Sequence, residues 1–478
     1  MAERNAFADY FGDVDYLQST EPVSHAEYVL LTPKKRTFYF NKPTIPVTQT
    51  TEEKGDQRIY RFVAENIPPL MPEPMQPPYT ELLGHIHVST YKSWDDLGAW
   101  YWGLVKEQFT ADDEVRRRVA EVTKGKTTER DKVMAVYDYV VEKTRYVALE
   151  FGIHGFKPYR CSQIFARGFG DCKDKATLIV TMLKELGIPA TIVIVRTGLR
   201  GDFEDYPASL APFDHAIAYV PSLDLYLDGT AEYTGSSEFP AMDRGALALQ
   251  VNEGKPKLVH MPDPPASASV ASRRLEVSLS ADGAAQIDWR TTVTGVSAPG
   301  WRVRYHAEAL RKQRLQEDLA TDLPGVDVAS VEANDLENVE IAPTLHAKGK
   351  VAGFGRRDQD MLSVPIGPRE HMVRDLATLS TRRLDIRIHA KTTTETEYVV
   401  KFPPGAKVAA LPSGSQSTSP FGSHQVTIDN VPGGLRVKTS VVLSRSRIPV
   451  AEYPAFRSWC ETVDRALAQR LVLSVGAK

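Results

Sequence analysis

The chain reads as an α+β protein whose mixed helical and strand-forming middle lies between two β-rich flanks. Three observations lead there: short β-prone runs up to about residue 92, helical periodicity from Trp94 to Leu183, and alternating apolar positions beyond the linker MPDPPASASVAS. The expected domains are 1–92, β-rich and with a start that reads as incomplete; 93–262, carrying the chemistry; and 269–478, β-rich and ending in a helix. With 478 residues, 42% of them apolar and 9% aromatic, there is material for more than one packed core.

The N-terminal strands are EYVLLT, RIYRFV and GHIHVSTY, separated by proline-rich stretches such as NIPPLMPEPMQPP, where missing N–H groups prevent ladder pairing. SWDDLGAWYWGLVKEQ opens with a Ser-x-x-Asp cap, and TTERDKVMAVYDYVVEK places Val133, Val136, Tyr137 and Val140 on one helical face. The next helix buries Ala176, Ile179, Val180 and Leu183 and stops at Gly187 and Pro189. TIVIV then reads as a buried strand, followed by strands in DHAIAYV and LYLDGT joined by a turn at Pro221-Ser222. Beyond the linker, Leu275, Val277 and Leu279 pair through an Asp282-Gly283 turn with Ile287, Trp289 and Val293. A helix near Trp301–Leu319, strand alternation at Leu384, Ile386 and Ile388, and a last helix over roughly Ala451–Leu471 complete the reading.

Lys plus Arg is 58 and Asp plus Glu is 61, so no global field draws the protein to nucleic acid. Three cysteines, Cys161, Cys172 and Cys460, are too few for a disulfide framework and fit no zinc spacing. The apolar stretch TLIVTMLKELGIPATIVIV is broken by Lys184, Glu185 and Pro189, so no transmembrane segment is expected. The N-terminus lacks the apolar segment of an export signal. The chain reads as soluble, with the compartment open: periplasmic or extracellular if the N-terminus is incomplete.

A cysteine becomes a nucleophile where its thiolate is favoured, and the unpaired N–H groups and positive dipole end of a helix N-terminus favour it. Cys172 heads the helix, Gly168 and Gly170 let the backbone turn into it, and Lys173 and Lys175 add positive charge. His215 opens an apolar strand, where it is held as a candidate base, and Asp228 ends the adjoining strand, where it can orient the imidazole. Singly, each has a blander reading: a buried inert thiol, a strand-end histidine, a turn-forming aspartate before Gly229. Their joint order points to chemistry. His85 and His87 share a strand face without a third metal ligand, and His154 lies in a loop, so none of the three is assigned a role.

GDCKDKATLIVTMLKELGI, FDHAIAYV and YLDGT, in that order, resemble the core motifs of bacterial transglutaminase-like proteins. The β-rich flanks and the SWDDLGAWY helix resemble the subgroup with an N-terminal domain of unknown function and a β-rich C-terminal part. The resemblance implies a papain-type core, a helix carrying the nucleophile packed on an antiparallel sheet that supplies His and Asp. It puts the nucleophile on Cys172, the base on His215 and the orienting acid on Asp228. The implied activity is thiol-dependent acyl transfer on amide bonds of a protein or peptide, to water or to an amine, with no metal or organic cofactor. Animal transglutaminases place Trp after the nucleophile; Lys173 stands there here, so cross-linking is not implied. The sequence does not choose between water and an amine as acceptor, and the reading leans towards hydrolysis.

An oxyanion hole would combine the Cys172 N–H with a second donor, for which Gln163 and Tyr159 are the candidates. The rival is a non-catalytic peptide-binding or scaffold protein that keeps a transglutaminase-like core; an intact Cys-His-Asp set argues against it.

Overall fold

The computed structural model describes residues 7–204, 206–236, 238–367 and 371–476. These form two compact units. The first runs from the N-terminal side to Pro72 and includes Pro77–Glu232 and Met242–Asp263; the second comprises Glu73–Gln76, Tyr233–Ala241 and the chain from Pro264.

The first unit opens with β1 (Gly12–Tyr16), β2 (Val23–Pro33), β3 (Tyr39–Phe40), β4 (Thr48–Lys54), β5 (Gln57–Ile67) and, after a turn of helix α1 (Tyr79–Leu82), β6 (His85–Ser89). They make two small antiparallel sheets, ordered β1-β6-β3 and β2-β5-β4. Leu30, Tyr60, Phe62, Ile86 and Val88 close a core of their own. β4 is exposed at every residue and rich in Thr and Glu, so it covers an edge without adding apolar burial.

Helices follow: α2 (Trp94–Val105), α3 (Asp113–Val122) and α4 (Glu129–Lys143). Ser93 Oγ accepts from Asp96 N at 3.2 Å and donates to its carboxylate at 2.6 Å, so the expected cap starts α2. In α4 the buried residues are Val133, Val136, Tyr137 and Val140, the stripe that spacing predicts. Strand β7 (Arg145–Tyr146) pairs in parallel with β8 (Phe169–Gly170), and α5 (Cys161–Arg167) lies between them in sequence.

Helix α6 (Cys172–Glu185) is buried on every side from Cys172 to Leu183. A helix enclosed all round needs neighbours on every face; these include α4, α5 and α3, and the strands β9 (Thr191–Arg196) and β10 (His215–Val220). The sheet is completed by β11 (Leu225–Leu227), β12 (Leu247–Gln250) and β13 (Lys257–His260), ordered β11-β10-β9-β12-β13 and antiparallel throughout. β9 is wholly buried, which is why TIVIV is continuously apolar and not alternating.

The second unit centres on an eight-stranded sheet. Val270–Leu279 and Ala285–Val293 form the expected hairpin, and Val270–Leu279 pairs in parallel with Thr392–Lys401. Three expectations are corrected here. The helix near Trp301 is two helices, Ala298–Tyr305 and Glu308–Asp322, parted at His306 and Ala307. The alternation around Ile386 makes only the two-residue strand Ile386–Arg387, because the chain pairs there with Arg447–Ile448 alone. The last helix ends at Leu467, and Leu471 lies in the strand Arg470–Ser474, where it pairs with Val364. A short apolar run after a helix satisfies either periodicity; the available sheet edge makes it a strand.

Candidate active site

Cys172 is the first residue of α6, and the start of that helix is heavily braced. Gly168 ends α5 in the left-handed region at φ 67°. At Gly170 an added Cβ would fall 2.5 Å from the Asp174 side chain, so only glycine lets the loop lie against the helix. Asp171 caps α6 by accepting from Asp174 N at 3.2 Å, and Asp174 returns a contact to Asp171 N at 3.4 Å. Asp174 also takes Tyr159 N at 2.9 Å and pairs with Arg167. These contacts fix where the cysteine backbone sits.

Lys173 and Lys175 are both buried. Lys173 Nζ is neutralised by Asp171 at 2.5 Å and lies 3.8 Å from Glu150. Lys175 Nζ donates to Thr144 O at 2.7 Å, and burial holds its pKa below the ordinary lysine value. Neither is a solvated surface charge, and both serve the packing of the site.

β10 begins at His215, registered opposite Val195 of β9, and β11 pairs antiparallel with β10 so that Asp228 emerges just past its end. His215 Nε2 lies 3.2 Å from Asp228 Oδ2, and the two form an ion pair. The Cys172 thiol lines the same cleft as this imidazole and acts on its proton affinity. Asp228 is itself anchored: Thr230 donates its N–H and its hydroxyl to Oδ1, each at 2.8 Å, and Tyr137 of α4 donates to its backbone carbonyl at 3.1 Å.

Burial alone would push the His215 imidazole down; pairing with Asp228 and Cys172 outweighs it and holds the pKa well above the ordinary histidine value. Burial likewise pushes Asp228 up, but His215 and Thr230 more than offset this and its carboxyl stays below the usual range. Cys172 and His215 are each 9% exposed and Asp228 3%, so the group touches solvent at the thiol and the imidazole more than at the carboxylate. There it opens into a cleft of about 140 Å³ lined by Tyr101, Phe156, Leu210, Phe213 and Glu150 among others. A groove of about 480 Å³ on the large sheet of the second unit, lined by Arg273, Glu395 and Lys438, is roomier but includes neither cysteine nor histidine. Size does not mark the chemistry here.

The structure thus brings Cys172, His215 and Asp228 together and leaves Gln163 and Tyr159 outside the cleft lining. Gln163 Oε1 accepts from Arg160 N at 3.4 Å at the start of α5, and the Tyr159 ring stacks on His154 at 3.7 Å and under Arg167 at 4.3 Å. His85 and His87 are packed against Phe203, and burial drives His87 down to about 3, so it is a neutral core group.

Sequence reasoning missed three neighbours. Tyr101, buried on α2, donates to Phe156 O at 3.0 Å and lines the cleft. Tyr146 on β7 is half exposed; burial and the nearby charges of Cys172 and Asp171 raise its pKa to about 12, so it stays a donor. Asp243 is fully buried beside the His-Asp pair. No spacing rule links residues brought together by separate elements, though MDRG, an acid–base pair in a turn-rich stretch, was a visible oddity.

Residues 116–220 match the family model of the transglutaminase-like superfamily, a span that contains Cys172 and His215 and ends before Asp228. The chain carries a transglutaminase-like core. Residues 2–70 match DUF3857 and residues 367–473 match DUF3858, each described as a domain of unknown function with a solved structure, so that core is flanked as in the subgroup the motifs resembled. A crystal structure of a candidate protease from Parabacteroides distasonis is similar over 97% of this chain and 75% of that one, at 16% identity and a TM-score of 0.65, which establishes a shared fold. A candidate cysteine protease from Cytophaga hutchinsonii matches 46% of this chain and 78% of its own at 13% identity, with a TM-score of 0.21, and nothing rests on that match. No curated protein matches the chain. No helix among the described residues is long and apolar enough to cross a membrane.

Proposed function

We propose that the transglutaminase-like core is a thiol enzyme that cleaves amide bonds of a protein or peptide substrate. The observation that carries this is the continuous relay from Cys172 through His215 to an anchored Asp228, 3.2 Å beyond the imidazole. In this reading His215 takes the thiol proton, and the thiolate attacks the amide carbonyl carbon. The negative charge that develops on the carbonyl oxygen is met by the Cys172 N–H, which as a first-turn group has no intrahelical acceptor. Collapse of the tetrahedral species breaks the C–N bond, His215 returns the proton to the leaving amine, and a thioester remains on Cys172. Water, deprotonated by His215, then releases the acid and restores the thiol.

Hydrolysis is favoured over amine transfer because Lys173, next to the nucleophile, is buried against Asp171 and Glu150 and offers no aromatic wall for an incoming amine. The candidate protease from Parabacteroides distasonis, which shares the fold, supports the peptidase reading by analogy only.

The test is a screen of peptides and amides with the wild type and Cys172→Ala, products read by mass spectrometry. The expected result is new carboxyl ends with wild type and none with the variant; turnover that survives in Cys172→Ala removes the nucleophile assignment. Labelling by iodoacetamide at neutral pH is expected at Cys172, with Cys161 and Cys460 protected by burial that pushes both thiols up to about 12. Equal labelling of all three would favour the binding-only rival.

A further inference from the structure

Asp243 is 0% exposed, and neither carboxyl oxygen has a hydrogen-bond partner among the described residues. One of its oxygens lies within 4.8 Å of a ring nitrogen of His215 and of a carboxylate oxygen of Asp228, residues that already form an ion pair. Two buried carboxylates this close resist ionising together, because burial removes the solvent that would screen their charges. Asp228 has the stronger claim on the charge: it faces the imidazole directly and accepts two bonds from Thr230, whereas Asp243 accepts none.

We propose that Asp243 is a positioning residue for His215: a carboxyl kept protonated by its burial and by its neighbour, so that Asp228 is the one carboxylate of the pair acting on the imidazole during turnover. This rests on the thiol-enzyme reading for its consequence, though not for the protonation itself. The charged groups reaching Asp243 are Asp228, His215 and Asp214; Lys175 on α6 faces Asp228 and Glu232, and Arg244 faces Asp263. Burial is the main cause that raises Asp243 from its ordinary 3.8 to about 8, with Asp228 adding to it. Above that pH a second negative charge appears beside His215 and makes the imidazole hold its proton more tightly.

Two consequences separate protonation from positioning. In the unfolded chain Asp243 loses its proton from about pH 4, whereas the folded chain keeps it, so this residue makes the fold less stable as pH rises from about 4 to 8 and has no further effect above. In Asp243→Asn that slope is absent. The variant also lacks the late second anion, so its His215 deprotonates earlier.

The test uses the full chain and Asp243→Asn, with Asp243→Ser as the same comparison should the amide not be accommodated. The expected results are three. Wild type at pH 7 shows an infrared band of a protonated carboxyl that is missing from the variant and fades above about pH 8. The Tm of wild type falls relative to the variant between pH 5 and 8. The upper limb of the Cys172 alkylation profile lies about one pH unit or more lower in the variant, a roughly tenfold change in proton affinity. Superimposed upper limbs overturn the positioning role. Absence of the acid band, or one bound metal ion per chain in wild type that the variant loses, overturns the protonation. If Cys172→Ala shows that Cys172 is not the nucleophile, the infrared and Tm results still stand or fall alone, so the two failures are distinct.

Discussion

Helices α5 and α6 both begin with a cysteine, and the two starts behave differently. Cys161 heads α5 fully buried, where burial lifts its thiol to about 12 despite a hydrogen bond with Thr181. Cys172 heads α6 facing an imidazole and the mouth of a cleft. The caps differ as well. The Asp171 side chain accepts the N3 amide of α6, whereas the Arg160 side chain has no acceptor to offer α5, and Gln163 reaches back to the Arg160 N–H instead. A helix N-terminus is therefore common to both thiols and cannot by itself make a nucleophile. What distinguishes Cys172 is a base on a different element and a path to solvent.

The sharpest way to break this comparison is to remove each sulfur. Cys172→Ala is expected to lower amide cleavage by about 10³-fold or more, while Cys161→Ala keeps activity within about threefold and loses about 1–2 kcal/mol of stability. Peptide turnover and urea unfolding of both variants check this; a Cys161→Ala protein that folds but is inactive would erase the distinction.

Next in size is the acid behind the base. Asp228→Asn is expected to reduce turnover by about 10²–10⁴-fold, since an amide can hold the ring but cannot balance its charge. Alkylation of Cys172 in that variant should also lose its plateau at low pH.

The same pair predicts a pH window for stability. His215 is raised in the fold, so its contribution is full below its unfolded value near 6.5 and is lost as pH climbs through the folded value. Asp228 is lowered, so its contribution is full above 3.8 and is lost as pH drops through the folded value. The Tm advantage of wild type over Asp228→Asn is thus expected to peak between about pH 4 and 6.5 and shrink on both sides, as calorimetry across pH would show.

The smallest effects belong to the caps. Asp171→Ala is expected to cost about 1–2 kcal/mol, from the lost cap and the unpaired Lys173. Gln163→Ala at the other helix should cost about 0.5 kcal/mol and leave turnover within about threefold. A large drop in turnover for Gln163→Ala alone would return it to the oxyanion hole.

Much of this was readable before any coordinates. The stripe of α4, the cap of α2, the continuous burial of β9 and the hairpin about Gly283 are local patterns, written in residues a few positions apart. The apolar run at Leu471 fits a helix as well as a strand, because the two periods agree over so few residues. Lys173 and Lys175 stand in the sequence as charges near a thiol, and nothing in their spacing announces that both are buried.

Order along the chain was enough to nominate Cys172, His215 and Asp228, since each stands at the end of a recognisable element and the elements follow in a known sequence. It could not separate Cys172 from Cys161 energetically, find Tyr101, or bring Asp243 to the back of His215. Those depend on which faces meet when helix and sheet pack. Desolvation and Coulomb interaction act through space, with a strength set by distances between residues far apart in the chain.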